Sequence, residues 1–263
     1  MEIQRVLAPN PGLFTGPGTN TYVLQSGGEA LVLDPGPVID SHRAAIERAI
    51  GESRLVGVVV THTHSDHAPL ANPMAKAHGV PAIGFEPGPE FEPDRRLAEG
   101  DVVTVGSSAL RALYTPGHAD DHLCFLLGTT LFTGDHIMGG STVMVQDMGR
   151  YLNSLERLKD LELARLLPGH GEEISDPAPI IDYYIEHRLE REREVVEALR
   201  GGAQTVGGVV RQVYRDVDRE YHPLAAISVA AHVRKLADEG KVVFHEKQAD
   251  ELWEALIKMV DAK

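Results

Sequence analysis

Residues 55–67 read LVGVVVTHTHSDH, an apolar run that turns abruptly into six polar residues, four of them histidine or aspartate. The apolar half is short and β-branched, as in a strand. His62 and His64 stand one residue apart, so in extended chain their rings leave on the same side. Asp66 and His67 lie past the bend and face a second point nearby. These residue types at this spacing suit one cation or two, but one hexapeptide cannot complete the coordination. The fold must therefore carry other loops to this strand end.

Three later segments are suited to that. Thr115-Pro-Gly-His118 follows a strand ending at Tyr114, Thr133-Gly-Asp135 follows the strand LFT, and Leu167-Pro-Gly-His170-Gly171 follows the apolar run ARLL. Each sets one ligand-type residue just past a strand, beside a glycine that lets the backbone turn sharply. Five histidines and two aspartates then supply two metal sites. Imidazole with carboxylate suits zinc, and manganese or iron accept the same ligands.

Around these segments the chain alternates short strands with helices. Strands are expected at 20–25, 30–33, 56–60, 101–105, 109–114, 123–127 and 130–133, with helices at 41–50 and 68–78. Asn153-Ser-Leu-Glu156 has capping-box spacing and is expected to open another helix. This order points to an α/β or α+β sandwich whose sheets are covered by helices. After Pro179 the composition changes: a charged helix over 180–200 ends at Gly201-Gly202, followed by helices at 205–213 and 224–237, a turn and a strand at 242–245. Helix, helix, turn and strand is the order of a winged helix. The expected division is a catalytic domain over 1–200 and a winged-helix-like domain over 201–263.

HxHxDH, TPGH, TGD and PGHG in this order, with Asp34 in LVLDPG, resemble the metallo-β-lactamase superfamily over roughly residues 1–175. The resemblance implies an αββα sandwich with a dinuclear site along one edge. It implies that His62, His64 and His118 bind the first metal, that Asp66, His67 and His170 bind the second, and that Asp135 bridges them. Asp34 would support the ligand loops without binding. Hydrolysis by a metal-bridging hydroxide follows, with Asp66 and Asp135 as catalytic carboxylates, since Asp66 lies closest to the nucleophile by motif position and can handle its proton.

A narrower set, TPGHADDH, TGDHIMGGSTV and YLNSL (Tyr151 to Leu155), resembles the β-lactamase-like protein two family. Its animal members are single-strand-selective endoribonucleases, and it carries a carboxy-terminal winged-helix domain. Single-stranded RNA is the substrate this implies. The alternative is a small-molecule hydrolase, cleaving a thioester in the manner of glyoxalase II, a lactone or a β-lactam. A third reading is a non-enzymatic DNA-binding protein, but the stretch His222 to Glu239 offers only Arg234 and Lys235 against Asp238 and Glu239. Such a helix serves better as a substrate-flanking element or a contact in a homodimer.

Charge and composition bound these readings. With 25 Lys and Arg against 39 Asp and Glu, the net charge is -14, which repels a polyanion. No apolar stretch reaches the roughly 20 residues of a membrane span. The segment MEIQRVLAPNPGLFTG lacks an apolar h-region, and Cys124, the one cysteine, forms no internal disulfide, so cytoplasmic residence without a membrane partner is expected. His122 and His136 neighbour the ligands as supporting or structural residues. Ser141 and Thr142 either line a cleft or belong to an ordinary glycine turn. His42, His78, His187, His222, His232 and His245 are expected not to be ligands, Cys124 to be core, and Trp253 to anchor a last helix.

Overall fold

The computed structural model describes residues 1–140, 142–246 and 251–260, and the chain divides into two compact units. The first comprises Met1–Pro116, Asp120–Val143 and Lys159–Pro179; the second comprises Gly117–Ala119, Met144–Leu158 and Ile180–Lys263.

Two sheets build the first unit. One runs in chain order: β1 (Glu2–Leu7), β2 (Asn20–Ser26), β3 (Glu29–Leu33), β4 (Arg54–Val59), β5 (Ala82–Gly84) and β6 (Arg95–Arg96). The other has the order β11-β10-β9-β8-β7, from β7 (Val102–Val105), β8 (Ser108–Tyr114), β9 (Leu123–Leu127), β10 (Thr130–Gly134) and β11 (Arg165–Pro168). Alternation along β3 explains why the middle of the first sheet is buried on both faces. Ala30 and Val32 pack with Ile46, Ile50 and Met74 of helices α1 (Asp40–Ile50) and α2 (Ala71–His78). Leu31 and Leu33 turn the other way, into a core shared with Leu110, Phe125 and Phe132 of the second sheet. Each such large side chain contributes about 1.5–3 kcal/mol by leaving water.

Strand direction then sets where function can sit. β3 and β4 are parallel, so Asp34 and the segment His62–His67 emerge at one edge of their sheet. In the second sheet β8 and β10 are each antiparallel to β9, and β10 is parallel to β11. The segments after β8, β10 and β11 therefore leave at a common edge. Hydrogen bonds from Tyr22 Oη (2.8 Å) and Asn20 Nδ2 (2.9 Å) to the Pro168 carbonyl tie the start of β2 to the end of β11.

The second unit contains α3 (Met148–Lys159, of which 148–158 belong here), α4 (Pro177–Arg200, of which 180–200 belong here), α5 (Val206–Val213), α6 (His222–Asp238) and the antiparallel pair β12 (Val242–Phe244) and β13 (Ile257–Met259). One core gathers Val195 and Leu199 from α4 with Val209, Val229, Leu236, Val242 and Ile257. Helices, turn and antiparallel pair complete a winged-helix arrangement. Thr205 caps α5, its Oγ1 accepting from the Gly208 amide at 3.0 Å.

Two local expectations are corrected. The helix expected to open at Asn153 opens at Met148, where Asp147 Oδ1 accepts from the Arg150 amide at 2.9 Å. Buried Met148, Tyr151, Leu152, Leu155 and Leu158 already follow helical spacing there, so the capping-box residues lie inside it. The last helix expected around Trp253 is a single 3-10 turn, Leu252–Glu254, followed by β13. Ile257 is buried while the next two residues are exposed, as in a short edge pairing. Trp253 still anchors this segment: a Cβ on Gly207 would come within 2.2 Å of its ring.

Candidate metal centre

Each expected ligand follows a strand, and geometry sorts them into two groups. His62, His64, His118 and Asp135 offer ligand atoms all within 4.8 Å of one another, and so do Asp66, His67 and His170. Asp135 also reaches the second group, its Oδ1 lying 3.3 Å from His67 Nε2 and 3.4 Å from His170 Nε2. Asp66 Oδ2 stands 3.1 Å from His170 Nε2.

The outer faces of the rings fix which nitrogen points inward. Asp34 Oδ2 takes the Thr61 hydroxyl proton at 2.8 Å and lies 3.0 Å from His67 Nδ1. Having donated, Thr61 Oγ1 accepts from His62 Nδ1 at 3.0 Å. His118 Nδ1 donates to the Met144 carbonyl at 2.7 Å, and His170 Nδ1 donates to the Gly18 carbonyl at 3.1 Å. Four rings thus engage Nδ1 on the outside and turn Nε2 inward, as metal-ligating histidines do. His62 Nε2 faces His64 Nδ1 at 3.0 Å and His67 Nε2 faces His170 Nε2 at 3.2 Å, distances at which each pair of nitrogens needs a proton or a cation between them.

Electrostatics agrees with that arrangement. Burial opposes charge on His67, but Asp135 and Asp34 outweigh it and hold its pKa well above 6.5. Burial likewise opposes charge on His170, yet hydrogen bonds to Asp135 and Asp66 raise it to about 9. Burial works to raise the Asp66 pKa, but the two histidines hold it below the ordinary value. Without a cation these carboxylates hold an extra proton on His67 and His170, and the same negative potential is what a divalent cation requires. Space is kept as well: a Cβ on Gly169 would come within 2.7 Å of both Asp135 Oδ1 and His67 Cε1.

Asp34 is the one described non-glycine residue with positive φ, at 50°, and its carboxylate also takes the Thr61 amide at 2.7 Å. Asp121, which sequence reasoning does not single out, accepts from the Thr63 amide at 2.8 Å and so braces the HTHSDH loop; its signal is its place in TPGHADDH, next to His122. His122 and His136 are both buried beside the ligands. Cys124 is a buried core residue. Thr142 is exposed, and Ser141 lies outside the described residues. His42, His78, His187, His222, His232 and His245 belong to neither ligand group.

Comparison with known proteins places this geometry. The profile of the metallo-beta-lactamase superfamily matches residues 14–170, and that of the beta-lactamase associated winged helix domain matches residues 205–253. A beta-lactamase-like protein 2 homolog from Caenorhabditis elegans is 32% identical over 252 residues, covering 91% of this chain and 85% of that protein. An atrochrysone carboxyl ACP thioesterase from Aspergillus chevalieri is 35% identical over 271 residues, covering 96% of this chain and 86% of that protein. Among solved structures, a metallo-beta-lactamase family protein from Thermus thermophilus superimposes with a TM-score of 0.79 at 21% identity, covering 98% of both chains. The chain belongs to the metallo-β-lactamase superfamily of hydrolases and carries the winged-helix domain associated with it.

Proposed function

We propose that this protein is a two-cation hydrolase of acyl thioesters. His62, His64 and His118 would hold one cation and Asp66, His67 and His170 the other, with Asp135 shared and zinc as the metal, manganese or iron being the alternatives. The observation that carries the reading is the common orientation of His62, His67, His118 and His170, each with Nδ1 engaged outside and Nε2 turned inward. When bound, such cations supply Lewis acidity and bring the pKa of a coordinated water toward neutrality. Asp66 is the more exposed of the two site carboxylates, at 24% against 6% for Asp135, and its lowered pKa keeps it ionised beside the inward nitrogens. Asp135, between both groups, would balance the cations' charge and set their spacing.

Charge supports the thioester over a nucleic acid. The net charge is -14, and the cations of α6 are engaged: Arg234 pairs with Glu246, and Lys235 pairs with Glu192 and Glu239. An acyl thioester carries far fewer phosphate charges than an RNA strand, and a relative named as an acyl-carrier-protein thioesterase is 35% identical to this chain. Single-stranded RNA is the second reading, favoured by TPGHADDH, YLNSL and the relatives named beta-lactamase-like protein 2 homolog.

The test is one panel on protein reconstituted with zinc: an acyl-carrier-protein thioester, an acyl-CoA, a lactone, nitrocefin and single-stranded RNA, each against wild type and Asp135→Ala. Metal analysis should give two equivalents, and thioester turnover should fall by orders of magnitude in the variant while circular dichroism is unchanged. RNA cleavage that vanishes in Asp135→Ala, with no thioester turnover, would establish the second reading. Turnover equal in variant and wild type would overturn the site assignment.

A further inference from the structure

Behind Asp135 lies a buried chain of polar groups in which every bond has one direction. The Asp135 amide points at His122 Nε2 at 3.2 Å, and an amide N–H only donates, so Nε2 carries the lone pair. The His122 proton then sits on Nδ1 and is donated to Thr115 Oγ1 at 2.8 Å. Thr115 passes its own hydroxyl proton to Cys124 Sγ at 3.3 Å, and the Cys124 thiol faces the Thr133 carbonyl at 3.6 Å. The chain starts at residue 135 and returns at residue 133, closing a ring around Gly134. That glycine has φ 47°, and a Cβ there would come within 2.7 Å of His122 Nε2. His122, Thr115, Cys124 and Thr133 are all at most 2% exposed, so water does not compete for these bonds. The His122 ring also lies against that of His62, with centroids 5.1 Å apart.

We propose that His122 is a positioning residue, fixing the Asp135 backbone so that the carboxylate reaches both ligand groups, and that it does so only as the neutral Nδ1–H tautomer. The consequence for metal binding rests on the two-cation reading; the hydrogen-bond geometry does not. A ring that merely filled space would tolerate either tautomer. Here the other tautomer would set two N–H groups against each other at 3.2 Å.

Three variants separate the bonds. Gln in His122→Gln can place a carbonyl oxygen near the former Nε2 and keep the acceptor for Asp135. Asn in His122→Asn reaches only toward Thr115 and loses that acceptor, and His122→Leu removes both bonds. Zinc affinity, read by competition with a chromophoric chelator, should fall roughly 10- to 100-fold in His122→Asn and His122→Leu and stay within a few-fold of wild type in His122→Gln. Long-range nitrogen–proton NMR on the metal-free wild type should show His122 protonated on Nδ1, with the Asp135 amide protected from exchange. This measurement needs no variant to fold and no metal to bind, so it decides the assignment even if the protein takes up no zinc and the two-cation reading fails. An Nε2–H tautomer, a His122→Asn variant as tight as wild type, or a His122→Gln variant as weak as His122→Asn would overturn the proposal.

Discussion

Replacing Asp34 by asparagine changes one oxygen to an NH2 group, and the structure shows why that small change is costly. Asp34 Oδ1 accepts from the Thr61 amide at 2.7 Å, while Oδ2 faces the Thr61 hydroxyl at 2.8 Å and His67 Nδ1 at 3.0 Å. All three partners are used as donors, so an amide nitrogen in either orientation sets donor against donor. Facing Thr61 N–H, it leaves a buried backbone donor unsatisfied, at about 1–3 kcal/mol. Facing His67, it drives the ring toward the Nε2–H tautomer, which removes the inward lone pair. Loss of such a supporting contact weakens metal binding by roughly 10- to 100-fold. Backbone strain does not confound the result, because asparagine accepts the left-handed conformation at φ 50° as readily as aspartate. Chelator competition on Asp34→Asn should therefore show zinc bound at least tenfold more weakly, with a lower urea midpoint in the metal-free protein. Affinity and midpoint both equal to wild type would refute the account of His67 as held by Asp34.

Gly169→Ala should weaken zinc binding and lower stability by about 1–3 kcal/mol, since the added methyl meets Asp135 and His67 at 2.7 Å; unchanged metal stoichiometry and unfolding midpoint would count against the packing described for this loop. In the second unit, burial lowers the pKa of His232 more than Glu192, at 3.6 Å, raises it, while Arg188 and Lys235 add to the lowering. The folded state then holds this ring neutral where the unfolded chain protonates it, so its stability contribution is present above pH 6.5 and is lost as pH falls through the lowered pKa. Urea midpoints measured between neutral and mildly acidic pH should fall more steeply in wild type than in His232→Gln, a comparison that cancels the ligand histidines; parallel slopes would show that His232 does not titrate in this way.

The ligand loops are legible because each joins three local signals: an apolar run, a glycine and a ligand-type side chain. Nothing comparable marks β6, whose two arginines are exposed, or β5, which is three residues long and gains its place from neighbours far away in sequence. β1 reads as mixed polar chain because only Val6 of its six residues is buried. Helix α3 begins earlier than its capping-box spacing suggests because its cap, Asp147, stands where a loop aspartate and an N-cap look alike in sequence. Asp34 and His122 are legible as supporting residues, but how each gives support is not. Their spacing to the ligands is visible, but the directions of their hydrogen bonds depend on Thr61 and Thr115, ordinary threonines until the strands bring them together.

Those two residues explain how a dense histidine cluster keeps its geometry. Like charge gathered on the inward nitrogens, whether protons or lone pairs, would turn the rings apart unless they are held from outside, and the holding groups are themselves held. Thr61 Oγ1 donates to Asp34 and accepts from His62, so one hydroxyl orients a ring of the first ligand group while the same carboxylate orients His67 of the second. Both ligand groups thus depend on Asp34, and a disturbance at that residue reaches both at once. The Asp135 side is braced separately, through His122, Thr115 and Cys124. Two independent braces meeting at a shared carboxylate make the spacing between the ligand groups a property of the folded chain, set by buried hydrogen bonds.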